Sequence, residues 1–313
     1  MNKVLIADSV SSAVSEVFDK NGIAYDTKIG LSEDELATEI TEYSGLIVRS
    51  AVTVTEKIIN SAINLKVIGR PGVGVDNVDL KAATNNGIVV MNTPLGNVQA
   101  TAELTFGIMH SLMRKISNAN QSMHQKKWEK KKFIGNEMYG KTIGIIGFGN
   151  IGKKVSQIAH AYGMNVLVYS ASISPEDEKK FNVTNQSIDD ILEGADIITF
   201  HNKLSENSKY LINSNSIIKM KKNAIIINCA RGGLVNEKDI KEALEKGNIA
   251  GYGCDVYENE PEQDSIFSSM DNVVMTPHIG ASTIEAQEKV AYQIAEQIVE
   301  FLKNNKIINQ VNK

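Results

Sequence analysis

Short apolar runs alternate with helix-length amphipathic segments along most of the chain. The runs cover residues 4–7, 45–48, 66–68, 88–91, 142–146, 165–169, 196–200, 224–228, 251–255 and 273–275. Runs of this length separated by helical segments are typical of strands in parallel sheets whose faces are covered by helices. The pattern predicts a doubly wound α/β architecture.

A glycine-rich turn, Gly147-Phe148-Gly149-Asn150-Ile151-Gly152, separates the run 142–146 from a helix-like stretch. A dinucleotide-binding fingerprint requires this order of strand, turn and helix. The first glycine turns the chain, the second lets backbone approach a pyrophosphate, and the third lets the helix pack on the strand. The pyrophosphate then lies on N–H groups at the positive end of the helix dipole. A tight turn without a ligand has the same pattern, so the motif alone leaves both interpretations open.

Four of the strand-like runs precede this turn, although a Rossmann sheet begins with it. We therefore predict an α/β fold of two doubly wound Rossmann-like domains with parallel sheets and a cleft between them. Residues 1–95 and 283–313 form the predicted substrate-binding (catalytic) domain, and residues 96–282 form the predicted dinucleotide-binding domain. Amphipathic periodicity predicts long helices over residues 97–116 and 282–304.

The composition and the net charge bear mainly on the expected partners and on the expected compartment. The chain has 313 residues, of which 42% are hydrophobic and 22% charged, as in ordinary globular proteins. A net charge of −4 gives no global attraction to nucleic acid or membranes, so neither is a predicted partner. Cys229 and Cys254 lie in apolar runs, which indicates buried free thiols. With no leader and no run near the ~20 apolar residues of a membrane span, we expect a cytoplasmic enzyme.

Arg231, Glu260 and His278 each follow a strand-like run in the second half of the chain. Because open α/β sheets bind ligands at the carboxyl ends of their strands, these side chains are expected to converge. An arginine binds a carboxylate through two hydrogen bonds, and a histidine titrates near neutrality and suits a proton acceptor. A glutamate beside the imidazole would orient it and favour its charged form. Taken singly, an exposed arginine is usually a surface charge, a glutamate before proline is usually a loop residue, and a histidine is more often structural than catalytic.

The first domain contributes Arg49 and Ser50 after one run and the stretch Gly69-Arg70-Pro71-Gly72-Val73-Gly74-Val75-Asp76 after the next. A glycine-rich turn offers backbone N–H groups to a carboxylate, and the two arginines add positive charge. A substrate with more than one negative group would use both. A turn selected only for its backbone shape is the alternative.

These residues resemble the D-2-hydroxyacid dehydrogenase family over nearly the whole chain. The motifs that carry the resemblance are Val48-Arg49-Ser50-Ala51, Gly69-Arg70-x-Gly72-Val73-Gly74-Val75-Asp76-Asn77-Val78-Asp79, Asn92-Thr93-Pro94-x-Gly96-Asn97, Ala102-Glu103-Leu104-Thr105, Lys127-Trp128-Glu129-Lys130-Lys131-Lys132-Phe133, Asn228-Cys229-Ala230-Arg231-Gly232-Gly233, Asp255-Val256-Tyr257-x-x-Glu260-Pro261 and Pro277-His278-Ile279-Gly280-Ala281-Ser282-Thr283. The Trp128 segment and the pair Arg49 and Arg70 are similar to the branch that acts on phosphoglycerate.

The resemblance implies that Arg231 binds and polarises the substrate, that His278 exchanges the proton and that Glu260 supports His278. It also implies a homodimer formed through the nucleotide-binding domain. The implied substrate contacts are Arg49, Ser50, Arg70, Val73 and Gly74, with a lysine among residues 130–132 of a partner subunit. The implied cofactor contacts are Gly147, Gly149, Asn150, Ile151, Gly152, Ser170, Asn202, Cys229, Ala230, Arg231, Asp255, His278, Gly280, Ala281 and Val73.

The function expected from the resemblance is NAD-dependent oxidation of 3-phospho-D-glycerate to 3-phosphohydroxypyruvate in serine biosynthesis. Hydride leaves C2 while His278 accepts the hydroxyl proton, and no metal takes part. Two alternatives stay open: an NADPH-dependent glyoxylate or hydroxypyruvate reductase, and a non-catalytic, dinucleotide-sensing interaction protein.

Several positions depart from the family pattern. Ser170 stands where NAD-selective relatives carry an acidic residue for the ribose hydroxyls, so NADP is a rival to NAD. Lys203 replaces the proline that is common after the run 196–200 and would lie beside the adenosine end, and Pro71 replaces a small residue. The sequence stops near the point where many longer relatives continue into regulatory domains, so feedback control by serine is not expected.

Overall fold

The computed structural model describes residues 2–312. The chain divides into two units, which we call the first unit (Met1–Val98 with Ala281–Lys313) and the second unit (Gln99–Gly280). Each unit contains one parallel sheet covered by helices. The predicted fold class, two α/β domains with parallel sheets, is confirmed. The assignment of one unit to substrate and the other to dinucleotide stays a prediction.

The elements are numbered in chain order. The strands are β1 (Lys3–Ile6), β2 (Ala24–Thr27), β3 (Gly45–Ile47), β4 (Val67–Arg70), β5 (Val89–Asn92), β6 (Thr142–Ile146), β7 (Asn165–Tyr169), β8 (Thr184–Asn185), β9 (Ile197–Phe200), β10 (Ile225–Asn228), β11 (Gly251–Cys254) and β12 (Val273–Met275). The α-helices are α1 (Ala13–Asn21), α2 (Glu33–Glu39), α3 (Glu56–Ser61), α4 (Leu80–Asn85), α5 (Val98–Arg114), α6 (Ile116–His124), α7 (Asn150–Ala161), α8 (Pro175–Phe181), α9 (Ile188–Gly194), α10 (Ser214–Ile217), α11 (Glu237–Glu245) and α12 (Ile284–Asn304). Short 3-10 helices cover Ile40–Glu42, Lys130–Phe133 and Gly232–Leu234.

The first unit has the strand order β2-β1-β3-β4-β5, and the second has β12-β11-β10-β9-β6-β7-β8. Central strands of parallel sheets are covered on both faces and therefore consist of continuous apolar residues. β9 and β10 are buried throughout, which is why the sequence revealed them. β2 and β8 were not predicted from the sequence; they lie at sheet edges and consist of the residues AYDT and TN.

The predicted helix over residues 97–116 ends early. α5 stops at Arg114, and Lys115 has a left-handed backbone with φ of 52°, after which α6 begins at Ile116. An interior left-handed residue cannot continue an α-helix, so the single predicted helix is two. The predicted helix over residues 282–304 begins at Ile284, where the Thr283 hydroxyl accepts the Ala286 N–H at 3.1 Å as an N-cap.

Both cysteines are free and buried, as predicted. Burial raises the pKa of the Cys229 thiol to about 12, so the thiol stays protonated and unreactive. Across the described part of the chain, no helix is both long and apolar enough to span a bilayer.

Candidate active site

The glycine turn after β6 is shaped by contacts that exclude side chains. Gly147 has φ of +97° and donates its N–H to the Tyr169 carbonyl at 2.8 Å. A Cβ on Gly147 would overlap the backbone of Asn202, and one on Gly152 would overlap the Gly147 carbonyl. Gly149 is the N-cap of α7, and a Cβ on it would enter open space. The backbone at the start of α7 is therefore open to a phosphate group.

The loop after β9 borders this turn. His201 donates its backbone N–H to the Ile146 carbonyl at 2.7 Å, and its Nε2 lies 3.0 Å from the Thr199 hydroxyl. Burial lowers the pKa of His201 to about 3, so its ring is neutral at physiological pH. Within residues 2–312, His201 Nδ1 and Asn202 Oδ1 are buried polar atoms without a hydrogen-bond partner. Such atoms are costly unless a ligand or water satisfies them, so they fit a bound dinucleotide.

Arg231 is held by the buried Asn228 at the end of β10. The Asn228 amide donates to the Arg231 carbonyl at 2.8 Å and its oxygen accepts the Ala230 N–H at 3.1 Å. The Arg231 guanidinium donates to the Ala230 carbonyl at 2.6 Å. A Cβ on Gly232 would overlap the backbone of Tyr257, so the loops after β10 and β11 touch there.

His278 and Glu260 form a hydrogen-bonded pair, with 2.6 Å between Nδ1 and Oε2. The other Glu260 oxygen accepts the Tyr257 N–H at 3.0 Å, which fixes the carboxylate. Burial alone would raise the pKa of Glu260, but the hydrogen bond and charge of His278, aided by the charge of Arg231, hold it below its ordinary value. An ionised Glu260 selects the tautomer with the proton on Nδ1, leaving Nε2 of a neutral ring as a proton acceptor.

Asp255, at the end of β11, organises the loop that carries His278. Its carboxylate accepts the N–H groups of Ile279 and Gly280, both at 2.7 Å, and the Thr276 hydroxyl at 2.6 Å. His278 itself has φ of 54°, a left-handed conformation that costs on the order of 1–2 kcal/mol for a residue with a side chain. The bonds to Asp255 offset that cost and fix the direction of the imidazole. The predicted cofactor contact of Asp255 stays a prediction, because these oxygens already serve the loop.

The glycine-rich loop of the first unit is joined to the segment after β5. Gly72 and Thr93 exchange two hydrogen bonds, from the Gly72 N–H to the hydroxyl at 2.7 Å and from the Thr93 N–H to the carbonyl at 2.9 Å. The Asn92 amide donates to the Val73 carbonyl at 2.6 Å. The Arg70 guanidinium lies against Gly72, where a Cβ would overlap it. The loop therefore holds the Arg70 guanidinium beside the backbone of Gly72, and its role in binding an anion stays a prediction.

Arg49 lies in the same unit and is held by neutral oxygens. Its guanidinium donates to Gln287 Oε1 at 2.8 Å and to the Ser9 carbonyl at 3.3 Å. Its backbone N–H donates to the Asp8 carboxylate at 2.9 Å, which also accepts the Ala51 N–H at 3.1 Å. Neither of the two groups that bind the guanidinium is a carboxylate, so these contacts do not neutralise its positive charge.

The structure brings Arg231, Glu260 and His278 together, and it groups Gly147, Gly149, Gly152 and Asn202 at one turn. The other predicted residues of the second unit are Asn150 and Ile151 at the start of α7, Ser170, Cys229 and Ala230 directly after strands, and Gly280 in the loop after β12. Val73 and Ala281 belong to the first unit. Sequence reasoning missed His201, although it directly follows a predicted strand, and the positioning roles of Asn228, Asp8 and Gln287.

Residues 106–280 match the family model described as D-isomer specific 2-hydroxyacid dehydrogenase, NAD binding domain. The chain belongs to this family. It is 42% identical over its whole length to D-3-phosphoglycerate dehydrogenase of Bacillus subtilis, of which it spans 59%. It therefore covers less than two thirds of the length of such curated relatives.

Solved structures of similar fold span the entire chain. The TT0316 protein of Thermus thermophilus is 30% identical with a TM-score of 0.91, and the match covers 99% of each chain. NAD⁺-bound 3-phosphoglycerate dehydrogenase of Entamoeba histolytica is 28% identical with a TM-score of 0.85, and the match covers 100% of this chain and 99% of that one. The predicted family is confirmed.

Proposed function

We propose that this chain oxidises 3-phospho-D-glycerate to 3-phosphohydroxypyruvate with NAD as hydride acceptor, at the entry to serine biosynthesis. The observation that carries the proposal is the hydrogen-bonded pair of His278 and Glu260, 2.6 Å apart, with Arg231 close enough to lower the Glu260 pKa. The names of similar curated relatives and the NAD-binding family support the choice of substrate and cofactor.

The proton is handled by His278. Its Nε2 accepts the proton of the C2 hydroxyl, and the imidazolium that forms is stabilised by the Glu260 carboxylate on Nδ1. Arg231 binds the substrate carboxylate and polarises the C2 oxygen as it becomes a carbonyl. When bound, NAD supplies the nicotinamide ring to which the C2 hydride is transferred. The hydroxyl proton and the hydride together account for the two hydrogens lost.

The glycine turn and the loop after β9 are the groups that would hold the dinucleotide. Gly149 and the start of α7 would receive the pyrophosphate, and Asn202 Oδ1 would accept a hydrogen bond from the ligand. The proposal extends to the other predicted cofactor contacts, which are Asn150, Ile151, Cys229, Ala230, Asp255, Gly280, Ala281 and Val73.

The first unit is proposed to recognise the acid groups of the substrate. Val73 and Gly74 would donate backbone N–H groups to the carboxylate, while Arg49, Ser50 and Arg70 would bind the phosphate. We further propose a cytoplasmic homodimer in which a lysine of residues 130–132 of the partner subunit also reaches the phosphate. Sedimentation equilibrium tests the dimer, and a mass equal to one chain would contradict it.

The deciding experiment follows nicotinamide absorbance with NAD(H) and NADP(H), each against 3-phosphoglycerate, glycerate, glyoxylate and hydroxypyruvate. We expect kcat/KM for 3-phosphoglycerate to exceed that for glycerate by about 10- to 100-fold, since charged hydrogen bonds to the phosphate contribute ~1.5–3 kcal/mol. Preference for glyoxylate or hydroxypyruvate would replace the proposal by the reductase. Tight dinucleotide binding without turnover of any acid would favour a sensing role.

A further inference from the structure

We propose that the adenosine end of the dinucleotide site accepts a 2′-phosphate, so that this chain binds NADP(H) with an affinity comparable to that for NAD(H). Ser170 and Lys203 are the residues that permit it. The inference rests on the proposed function only in requiring that a dinucleotide binds at the glycine turn.

Ser170 occupies the position whose side chain contacts the ribose of a dinucleotide bound to a doubly wound sheet. It is the first residue after β7, and β7 adjoins the glycine turn because Gly147 donates to the Tyr169 carbonyl at 2.8 Å. In NAD-selective sites an acidic residue at the end of this strand binds the 2′-hydroxyl. A carboxylate there also repels a 2′-phosphate, which carries negative charge. Ser170 cannot repel a phosphate and has a hydroxyl to donate to one.

The position of Ser170 is fixed by its neighbour on β8. The Asn185 side-chain oxygen accepts the Ser170 N–H at 3.0 Å, and the Asn185 amide donates to the Ser170 carbonyl at 3.3 Å. The Ser170 hydroxyl accepts the Ser172 N–H at 3.4 Å, a long bond that leaves its own proton available. The segment 170–174 contains serines and apolar residues and no acidic residue.

Two of the three acidic residues of α8, Asp177 and Glu178, are already engaged, and the third, Glu176, is exposed. The Asp177 carboxylate pairs with the Lys153 ammonium at 2.8 Å. The Glu178 carboxylate accepts the Asn185 N–H at 2.6 Å. Both carboxylates therefore already have partners within the protein, and the positive charge of Lys153 offsets the negative charge of Asp177.

Lys203 lies on the side of the glycine turn opposite to Ser170. Ile146 pairs in register with Tyr169 of β7 and with Phe200 of β9, so the chain leaves both strands at the same height. With strands ~4.8 Å apart, those two exits are separated by about 10 Å, and a lysine has a long flexible side chain. The Lys203 backbone is fixed through its carbonyl, which accepts from Asn202 at 3.0 Å and from Ser208 at 2.9 Å.

The Lys203 side chain is exposed, and no carboxylate in the described residues pairs with its ammonium. A cation of this kind, on a fixed backbone beside the dinucleotide turn, gains a partner when a phosphate binds. The neutral Ser170 does not repel the 2′-phosphate of NADP(H), and the unpaired Lys203 attracts it. A carboxylate at position 170 would exclude that ligand.

The test measures dissociation constants for NADH and NADPH by the change in nicotinamide fluorescence on binding, without any substrate. We expect the two constants of the unmodified chain to lie within about tenfold of each other. The variant S170D should weaken NADPH about 10- to 100-fold and leave NADH unchanged or tighter, because a buried or half-buried charged contact is worth ~1.5–3 kcal/mol. S170N, which changes size without adding charge, should keep NADPH binding.

The variant K203A should weaken NADPH about tenfold and leave NADH within about twofold. K222A is the matched control, since Lys222 is exposed in the same unit but precedes β10 and lies at the opposite edge of the sheet. As a second probe, 2′,5′-ADP should compete with NADPH more strongly than 5′-AMP does, and the difference should shrink in K203A and at high salt.

The proposal is overturned if NADPH binds more than tenfold more weakly than NADH, or if K203A weakens both dinucleotides equally. These outcomes are separate from failure of the proposed function. A chain that binds NADPH but oxidises no 2-hydroxy acid still supports this inference. A chain that oxidises 3-phosphoglycerate with NAD but rejects NADPH refutes this inference alone.

Discussion

The loops that follow the strands of the two units present charge in opposite ways. In the second unit, the Glu260 carboxylate is hydrogen-bonded directly to the His278 imidazole. In the first unit, the Arg49 guanidinium is bound by the oxygens of Gln287 and Ser9, which are neutral. The first arrangement suits proton transfer, because the Glu260 carboxylate stabilises the imidazolium that forms when His278 takes up a proton, whereas the second presents a positive charge that suits an anion. One sheet edge suits chemistry and the other suits recognition.

The two units nevertheless use the same device to fix these side chains. Asp255 accepts the backbone N–H groups of Ile279 and Gly280 next to His278. Asp8 likewise accepts the backbone N–H groups of Arg49 and Ala51. In both units a carboxylate at a strand end anchors the backbone of a neighbouring loop. The difference in function therefore lies in the side chain that is presented, and the scaffold beneath it is similar.

The largest effect should come from H278N. Removing the proton acceptor should lower kcat by ~10²–10⁴-fold, the usual contribution of a positioned acid or base, while the NADH dissociation constant stays the same. Steady-state kinetics and fluorescence titration measure the two quantities. H124N serves as the control, because His124 is exposed on α6. A kcat within threefold of the unmodified chain would remove His278 from the mechanism.

An intermediate effect is expected for R49M. Loss of the guanidinium should raise KM for 3-phosphoglycerate by about 10- to 100-fold, since a charge-assisted bond to phosphate is worth ~1.5–3 kcal/mol. The KM for glyoxylate, which has no phosphate, should change little. R114M provides a matched control in the other unit. An equal increase in KM for both substrates would show that Arg49 does not distinguish a phosphorylated acid from glyoxylate. That result would contradict the contrast drawn between the two units.

The smallest effect concerns stability. All five histidines lie in the second unit, and burial lowers the pKa of His201 from 6.5 to about 3. Unfolded His201 binds a proton near pH 6.5 while the folded ring does not, so its contribution is intact above pH 6.5 and is lost as the pH falls towards 3. The slope approaches ~1.4 kcal/mol per pH unit.

Denaturant unfolding between pH 7 and pH 4 measures this slope. H201Q should flatten it, because glutamine takes up no proton on unfolding, and H124Q should leave it unchanged. An identical slope in H201Q and in the unmodified chain would contradict a neutral buried ring at this position.

Sequence patterns were most informative where burial is complete. The strands β9 and β10 are buried along their whole length, so their apolar runs stood out. The edge strands β2 and β8 are polar, and the break at Lys115 depends on one backbone angle, so periodicity alone did not reveal them. The grouping of Arg231, Glu260 and His278 followed from their shared position after strands of one parallel sheet.

The supporting residues were harder to find because their partners are remote in the chain. Gln287 accepts a hydrogen bond from Arg49 although the two residues are 238 positions apart in the sequence, and no sequence motif links them. Asp255 stays a predicted cofactor contact, but its bonds to Thr276, Ile279 and Gly280, which anchor the loop of His278, were not indicated by the sequence. Such roles depend on which loops meet, and that is set by the register of the sheet.

The close approach at Gly232 has a further consequence. With no space for even a methyl group between it and Tyr257, the segments carrying Arg231 and Glu260 cannot drift apart independently during evolution. A change of length or direction in either segment has to be matched by the other.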